Sequence, residues 1–117
     1  MTYMLKNISE CQSLHLADLV EAGVGQIVSK TLIQNKAVSI TLFAFSRGEQ
    51  ISTHDSRGDA LVTILEGRGQ LTIGGVSHIL EAGESIVMPA LVPHSVEAVE
   101  DFKMQLTVVF PTEEESE

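Results

Sequence analysis

The sequence predicts a single all-β barrel domain preceded by a short N-terminal extension. Three observations carry that prediction. From Val24 onward, short runs of β-branched and apolar residues alternate with Gly, Asn, Asp and Pro, which is the rhythm of strands and turns. Gly74-Gly75 stands between two such runs, and paired glycines supply the positive φ values of a tight two-residue hairpin. A length of 117 residues with a hydrophobic share of 44% is enough for one buried core and too little for a second.

Residues 1–23 form the extension, where Leu14, Leu16, Leu19 and Val20 recur at roughly helical spacing and predict a short helix that Gly23 ends. The barrel occupies 24–111. Its strands are expected near 25–33, 37–45, 60–66, 69–73, 76–80, 85–88, 94–99 and 103–110, with 50–53 short or broken. Gly67 and Gly69 flank Arg68 and predict a turn or bulge where the chain changes sheet. Pro89 and Pro93 bracket a loop that ends at His94, because neither can donate a ladder hydrogen bond.

The runs Val38–Phe45 and Met104–Phe110 are almost continuously apolar, so both faces of those strands should be covered. One face lines the barrel interior; the other packs on the N-terminal segment or on a second subunit, and the sequence predicts a homodimer. Met104 and Gln105 are neighbours on the last strand, one facing in and one out, and parity alone leaves open which. Residues 112–117 are an acidic block read as a solvated, disordered end.

Charge and composition exclude several classes of partner. The net charge is −9, and the seven Lys and Arg are scattered, so there is no basic stripe to neutralise a nucleic-acid backbone or an anionic membrane. The single cysteine, Cys11, cannot close an intramolecular disulfide, and no Lys, Arg or paired cysteine beside it favours a reactive thiolate. No apolar stretch approaches the roughly 20 residues of a membrane span, and no secretory pattern opens the chain. A cytoplasmic location is the expectation.

Two segments carry a resemblance to a known family. Gly48-Glu-Gln-Ile-Ser-Thr-His54-Asp-Ser56-Arg-Gly-Asp-Ala60, followed by Gly67, resembles the first motif of the cupins, G-x5-H-x-H-x(3,4)-E-x6-G. Gly83-Glu-Ser-Ile-Val-Met-Pro89-Ala-Leu91-Val-Pro-His94-Ser-Val-Glu-Ala98 resembles the second, G-x5-P-x-G-x2-H-x3-N. With flanking strands the resemblance spans roughly residues 24 to 110, and it implies a double-stranded β-helix, or jelly-roll, barrel of the RmlC-like kind.

In that family the two histidines and the glutamate of the first motif, with the histidine of the second, hold a metal. His54 and His94 are retained here. The other histidine is replaced by Ser56, and the glutamate falls on Ala60, or on Leu61 with the longer spacing; Leu91 and Ala98 stand where the second motif has Gly and Asn. The resemblance therefore implies at most a weakly held divalent transition metal, nickel, zinc, manganese or iron, on His54 and His94. A transition metal wants three or four protein ligands, and two imidazoles leave much of the coordination to water.

Other side chains near the pair are candidate substitutes. Asp55 and Asp59 have the opposite parity to His54 on a regular strand and point away from the interior, although Gly58 permits a bulge that turns Asp59 inward. Asp59 also fits a turn residue bonding local amides. Ser56 lacks a group to orient His54 as its base, so it reads as a polar pocket liner, not as a nucleophile. Arg47 and Arg57 are candidates to draw an anion to the mouth, or simply solvated. His78 reads as a partly buried structural histidine, His15 as exposed, and Met88 and Met104 as core fillers.

The functional expectation is a barrel that binds a small polar or anionic molecule in a pocket of His54, Ser56 and His94. The alternatives are a metal-dependent cupin enzyme of isomerase, ring-opening or dioxygenase type acting on a sugar or small organic acid, and a structural dimerising domain. No residue pattern here decides whether the chain is an enzyme.

Overall fold

The computed structural model describes residues 4–112. Within them the chain forms nine strands: β1 (Ile27–Gln34), β2 (Val38–Phe45), β3 (Gln50–His54), β4 (Asp59–Glu66), β5 (Arg68–Ile73), β6 (Val76–Glu81), β7 (Ser85–Met88), β8 (His94–Ala98) and β9 (Phe102–Val109). They pair into a five-stranded sheet of order β1-β2-β9-β4-β7 and a four-stranded sheet of order β3-β8-β5-β6, with every pairing antiparallel. This is the expected jelly-roll barrel.

The turns follow the predicted chemistry. Gly74 and Gly75 both have positive φ, 55° and 85°, and close the β5–β6 hairpin in the register Ile73 to Val76. Gly67 (φ 76°) is the point at which the chain leaves the larger sheet for the smaller one, where a Cβ would run into the Asp101 carbonyl. Gly69 is required for a second reason, since a Cβ there would lie 2.8 Å from the Phe102 ring.

The interior is one apolar cluster between the sheets. Phe45 stacks on Phe102 with ring centroids 4.6 Å apart, and Val62, Ile64, Leu71, Val96 and Met104 complete its most buried part. Met104 is therefore the inward residue of the pair left open by parity. Gln105 faces the other way, with its amide toward the Thr107 hydroxyl at 3.5 Å.

The N-terminal segment corrects one expectation. The predicted helix is a single 3-10 turn, Leu16–Leu19, flanked by extended residues His15 and Val20. The apolar spacing serves a different purpose: Ile8, Leu16, Leu19 and Val20 pack flat on Leu32, Leu42 and Ala44, on the outer face of β1 and β2. Tertiary packing thus overrides local helical spacing. Lys103 Nζ donates to the Ala17 carbonyl at 2.7 Å, and Lys6 N–H to the Leu32 carbonyl at 2.8 Å, tying the strap down. Outer coverage of β2 is thereby provided within the chain, as one of the two expected routes. The acidic end, apart from Thr112, lies outside the described residues. Among those residues no helix is long and apolar enough to cross a membrane.

Candidate functional site

One end of the barrel is ringed by the residues between β3 and β4, the Pro89–Pro93 loop and the Gly74-Gly75 turn. Backbone hydrogen bonds join them: Leu91 N–H donates to the Ser56 carbonyl at 2.7 Å, and Gly74 N–H to the Pro93 carbonyl at 2.9 Å. His54 and His94 sit at this end on adjacent strands, as direct partners in the β3–β8 ladder.

That pairing depends on a β-bulge. Ile51 pairs with Val96 and His54 with His94, so three steps on β3 oppose two on β8. In a regular ladder Thr53 would oppose His94 and His54 would turn outward, away from the face of Ile51. The extra residue restores His54 to the inner face. The sequence carries the signal, since Ile51 and His54 are three apart and cannot share a face without such an insertion, but the broken strand at 50–53 concealed it.

The imidazoles meet edge on, with centroids 4.3 Å apart and planes at 72°. Their Nε2 atoms are 3.1 Å apart, and each Nδ1 points at the carbonyl two residues earlier: Ser52 for His54 at 2.9 Å, Val92 for His94 at 3.1 Å. His94 is buried, only 5% exposed, whereas His54 is open to solvent. Burial holds the His94 imidazole below the ordinary histidine value, and the neighbouring His54 acts in the same direction; the Val92 carbonyl and Asp55 oppose them.

Proton counting makes the geometry informative. A carbonyl oxygen only accepts, so each Nδ1 that bonds to one must carry a hydrogen. Two neutral imidazoles have two such protons, and both are used there. The two Nε2 lone pairs are then left facing each other across 3.1 Å. All three contacts are satisfied only when a third positive centre lies between the rings, either an added proton or a cation.

The remaining candidates fall into place around this pair. Ser56 is half-buried, and its hydroxyl exchanges hydrogen bonds with the amide and carbonyl of Gly58 at 3.1 and 3.0 Å, which fixes the loop. Asp59 does not turn inward through a bulge at Gly58; it accepts from the Ala90 amide at 2.8 Å and so holds the Pro89–Pro93 loop. Gly58 itself is needed because a Cβ would come within 2.6 Å of the Val109 carbonyl. Asp55 is exposed and acts on His94 through charge. Arg57 lies over the Phe110 ring, 5.5 Å from its centroid, near the mouth, but Arg47 is at the opposite end, where its amide bonds to Asp101. His15 is exposed and His78 half-buried opposite Leu71, as expected.

Between the two positions open for the missing glutamate, the fold selects Ala60. Ala60 is buried and inward, in register with Met88 and Val108, whereas Leu61 is 46% exposed on the outer face. Among the described residues, no group of three or more His, Cys, Asp or Glu is placed to hold a metal ion. The arrangement can supply two converging imidazoles, each fixed by a backbone carbonyl, and no protein carboxylate.

Comparison with known proteins places the fold. The family model described as Cupin domain matches residues 41–110. A conserved protein of unknown function from Streptococcus pyogenes has a solved structure that is 40% identical, with a TM-score of 0.90, and covers 96% of this chain and 97% of that one. A cupin superfamily protein from Desulfitobacterium hafniense is 33% identical with a TM-score of 0.88, covering 92% of this chain and 98% of its own. A cupin 2 conserved barrel domain protein from Leptotrichia buccalis is 43% identical over 82% of this chain and 47% of that one, with a TM-score of 0.80. No curated protein sequence matches.

Proposed function

The chain belongs to the cupin family, and within it we propose a small-molecule-binding barrel whose His54–His94 pair holds an exchangeable divalent cation. A small polar or anionic ligand binds at the mouth beside this pair. The observation that carries this reading is the approach of the two Nε2 atoms to 3.1 Å while each Nδ1 faces a backbone carbonyl. Metal–nitrogen bonds of about 2.0–2.1 Å place two adjacent ligands of one ion at about that separation. The carbonyl bonds of both Nδ1 atoms are the usual anchoring of a metal-bound imidazole, fixing its tautomer and ring plane.

When bound, such a cation would act as a Lewis acid toward a ligand oxygen. His54 and His94 orient it, Asp59 and Ser56 hold the loops around it, and the apolar interior limits water. Loss of the family's glutamate to Ala60 favours binding over turnover, since the site lacks a carboxylate that could also move a proton. Calorimetric titration of the full chain with Ni2+ or Zn2+ tests the reading. About one equivalent is expected in the wild type and none in His54→Ala or His94→Ala; retention of the same binding in both variants overturns it.

We also propose that a second copy of the chain packs on the outer face of the larger sheet. Val87 and Leu61, 53% and 46% exposed, are register partners there, and Val109, 58% exposed, lies on the next row. The N-terminal strap leaves these three uncovered.

A further inference from the structure

We infer that a groove on the rim of the barrel mouth, lined by Arg57, Asp59, Ala90, Val109, Phe110 and Pro111, binds a free amino acid with an aliphatic side chain. Neither His54 nor His94 lines it, and no cation there is required.

The groove has a volume of about 190 Å³, several times the roughly 30 Å³ of a water molecule. Apart from its two charged side chains, its walls are apolar. Its shape is set by hydrogen bonds within the chain. Asp59 accepts from the Ala90 amide at 2.8 Å, Leu91, in a left-handed conformation with φ 66°, donates to the Ser56 carbonyl at 2.7 Å, and the Phe110 amide donates to the Ala37 carbonyl at 3.0 Å. The loop that brings Ala90 and the segment that brings Phe110 and Pro111 are both pinned, so a ligand meets walls already in place.

The charged pair selects the ligand. The Arg57 guanidinium is held over the Phe110 ring, 5.5 Å from its centroid. Among the described residues no carboxylate lies within ion-pair distance of it; the pair that does form is Arg68 with Glu100, at the opposite end of the barrel. Asp59 spends Oδ1 on the Ala90 amide, and a carboxylate has further acceptor sites. The groove therefore offers a cation without a carboxylate and a carboxylate with capacity left, on either side of Gly58. A simple carboxylate ligand would bring negative charge beside Asp59 and into a molecule of net charge −9, and a simple amine would meet Arg57. A zwitterion answers both groups and adds no net charge, and an aliphatic side chain on it suits Ala90, Val109 and Pro111.

The test titrates the full chain, without added metal, with leucine, isocaproate, isoamylamine and glycine, following backbone amide chemical shifts. Isocaproate is leucine without its ammonium, and isoamylamine is leucine without its carboxylate. Leucine should bind about threefold to fivefold more tightly than either, the worth of an exposed ion pair, and glycine should bind most weakly. Arg57→Gln should abolish the advantage of leucine over isoamylamine. Asp59→Asn, which keeps an oxygen to accept from Ala90, should abolish its advantage over isocaproate. Val109 also borders the contact proposed between two copies, so the titrations are repeated on Leu61→Lys, which places a charge in that contact. Absence of saturable leucine binding in both proteins, an analogue that matches leucine, or an order of affinities unchanged in Arg57→Gln and Asp59→Asn overturns the inference.

Discussion

Leu91 shows how much stability one backbone conformation can cost. A left-handed conformation costs a non-glycine residue about 1–2 kcal/mol, and no burial of this exposed side chain offsets it. Leu91→Gly should therefore raise the unfolding free energy by about 1 kcal/mol in urea titration, after allowing for the greater freedom of glycine in the unfolded chain. His94 makes the opposite kind of prediction. Its imidazole is held below the ordinary 6.5 by burial, so the fold favours the neutral ring. That contribution is present above the unfolded value and is lost as pH falls through it and toward the folded value. Melting temperature should drop between pH 7 and pH 5, and the drop should shrink in His94→Asn; an unchanged profile in that variant would place the acid sensitivity elsewhere.

At the scale of elements, the bulge in β3 and the strap over β1 and β2 decide what the sheets can do. Deleting Thr53 would turn three residues against two into a regular ladder, still opposing His54 to His94, but it would move the Ser52 carbonyl from the Nδ1 position it now occupies. Such a variant should keep its fold by circular dichroism and lose about tenfold in Ni2+ affinity, the low end for loss of a ligand-orienting bond. Removal of residues 1–22 should expose Leu42 and Ala44, now 0% and 2% accessible, and produce strong binding of an apolar dye with a lowered melting temperature. The strands, the hairpin at Gly74-Gly75 and the loop ending at His94 were legible in the sequence because alternation and turn chemistry are local. The bulge and the unwound strap were not. The three-residue spacing of Ile51 and His54 marks the bulge only once both are known to face inward, and helical spacing in Leu16, Leu19 and Val20 is indistinguishable from spacing that fits a pleated surface while that surface is unknown. Parity could not choose between Met104 and Gln105 until the partner strands fixed which face was in.

Viewed as a whole, the molecule combines an apolar outer stripe with a strong negative charge. If Val87, Leu61 and Val109 form the contact between two copies, the dimer unites two chains of net charge −9 each, and their repulsion works against the contact. Association should then tighten as salt rises from about 10 to 150 mM, where the screening length falls to about 8 Å. Light scattering at micromolar concentration reads both outcomes: a dimer in the wild type and a monomer in Leu61→Lys are expected, and a wild-type monomer at all salt concentrations removes the proposed interface.

Ala60 has a consequence for how far this barrel stands from its relatives' chemistry. Its methyl group already points inward at a buried position, where the motif has glutamate. Ala60→Glu would add a third donor to an imidazole pair already aimed and anchored, and it should bind Ni2+ at least tenfold more tightly in calorimetry. Ser56 would still stand where the motif has its other histidine, so that variant would restore three of the four family ligands.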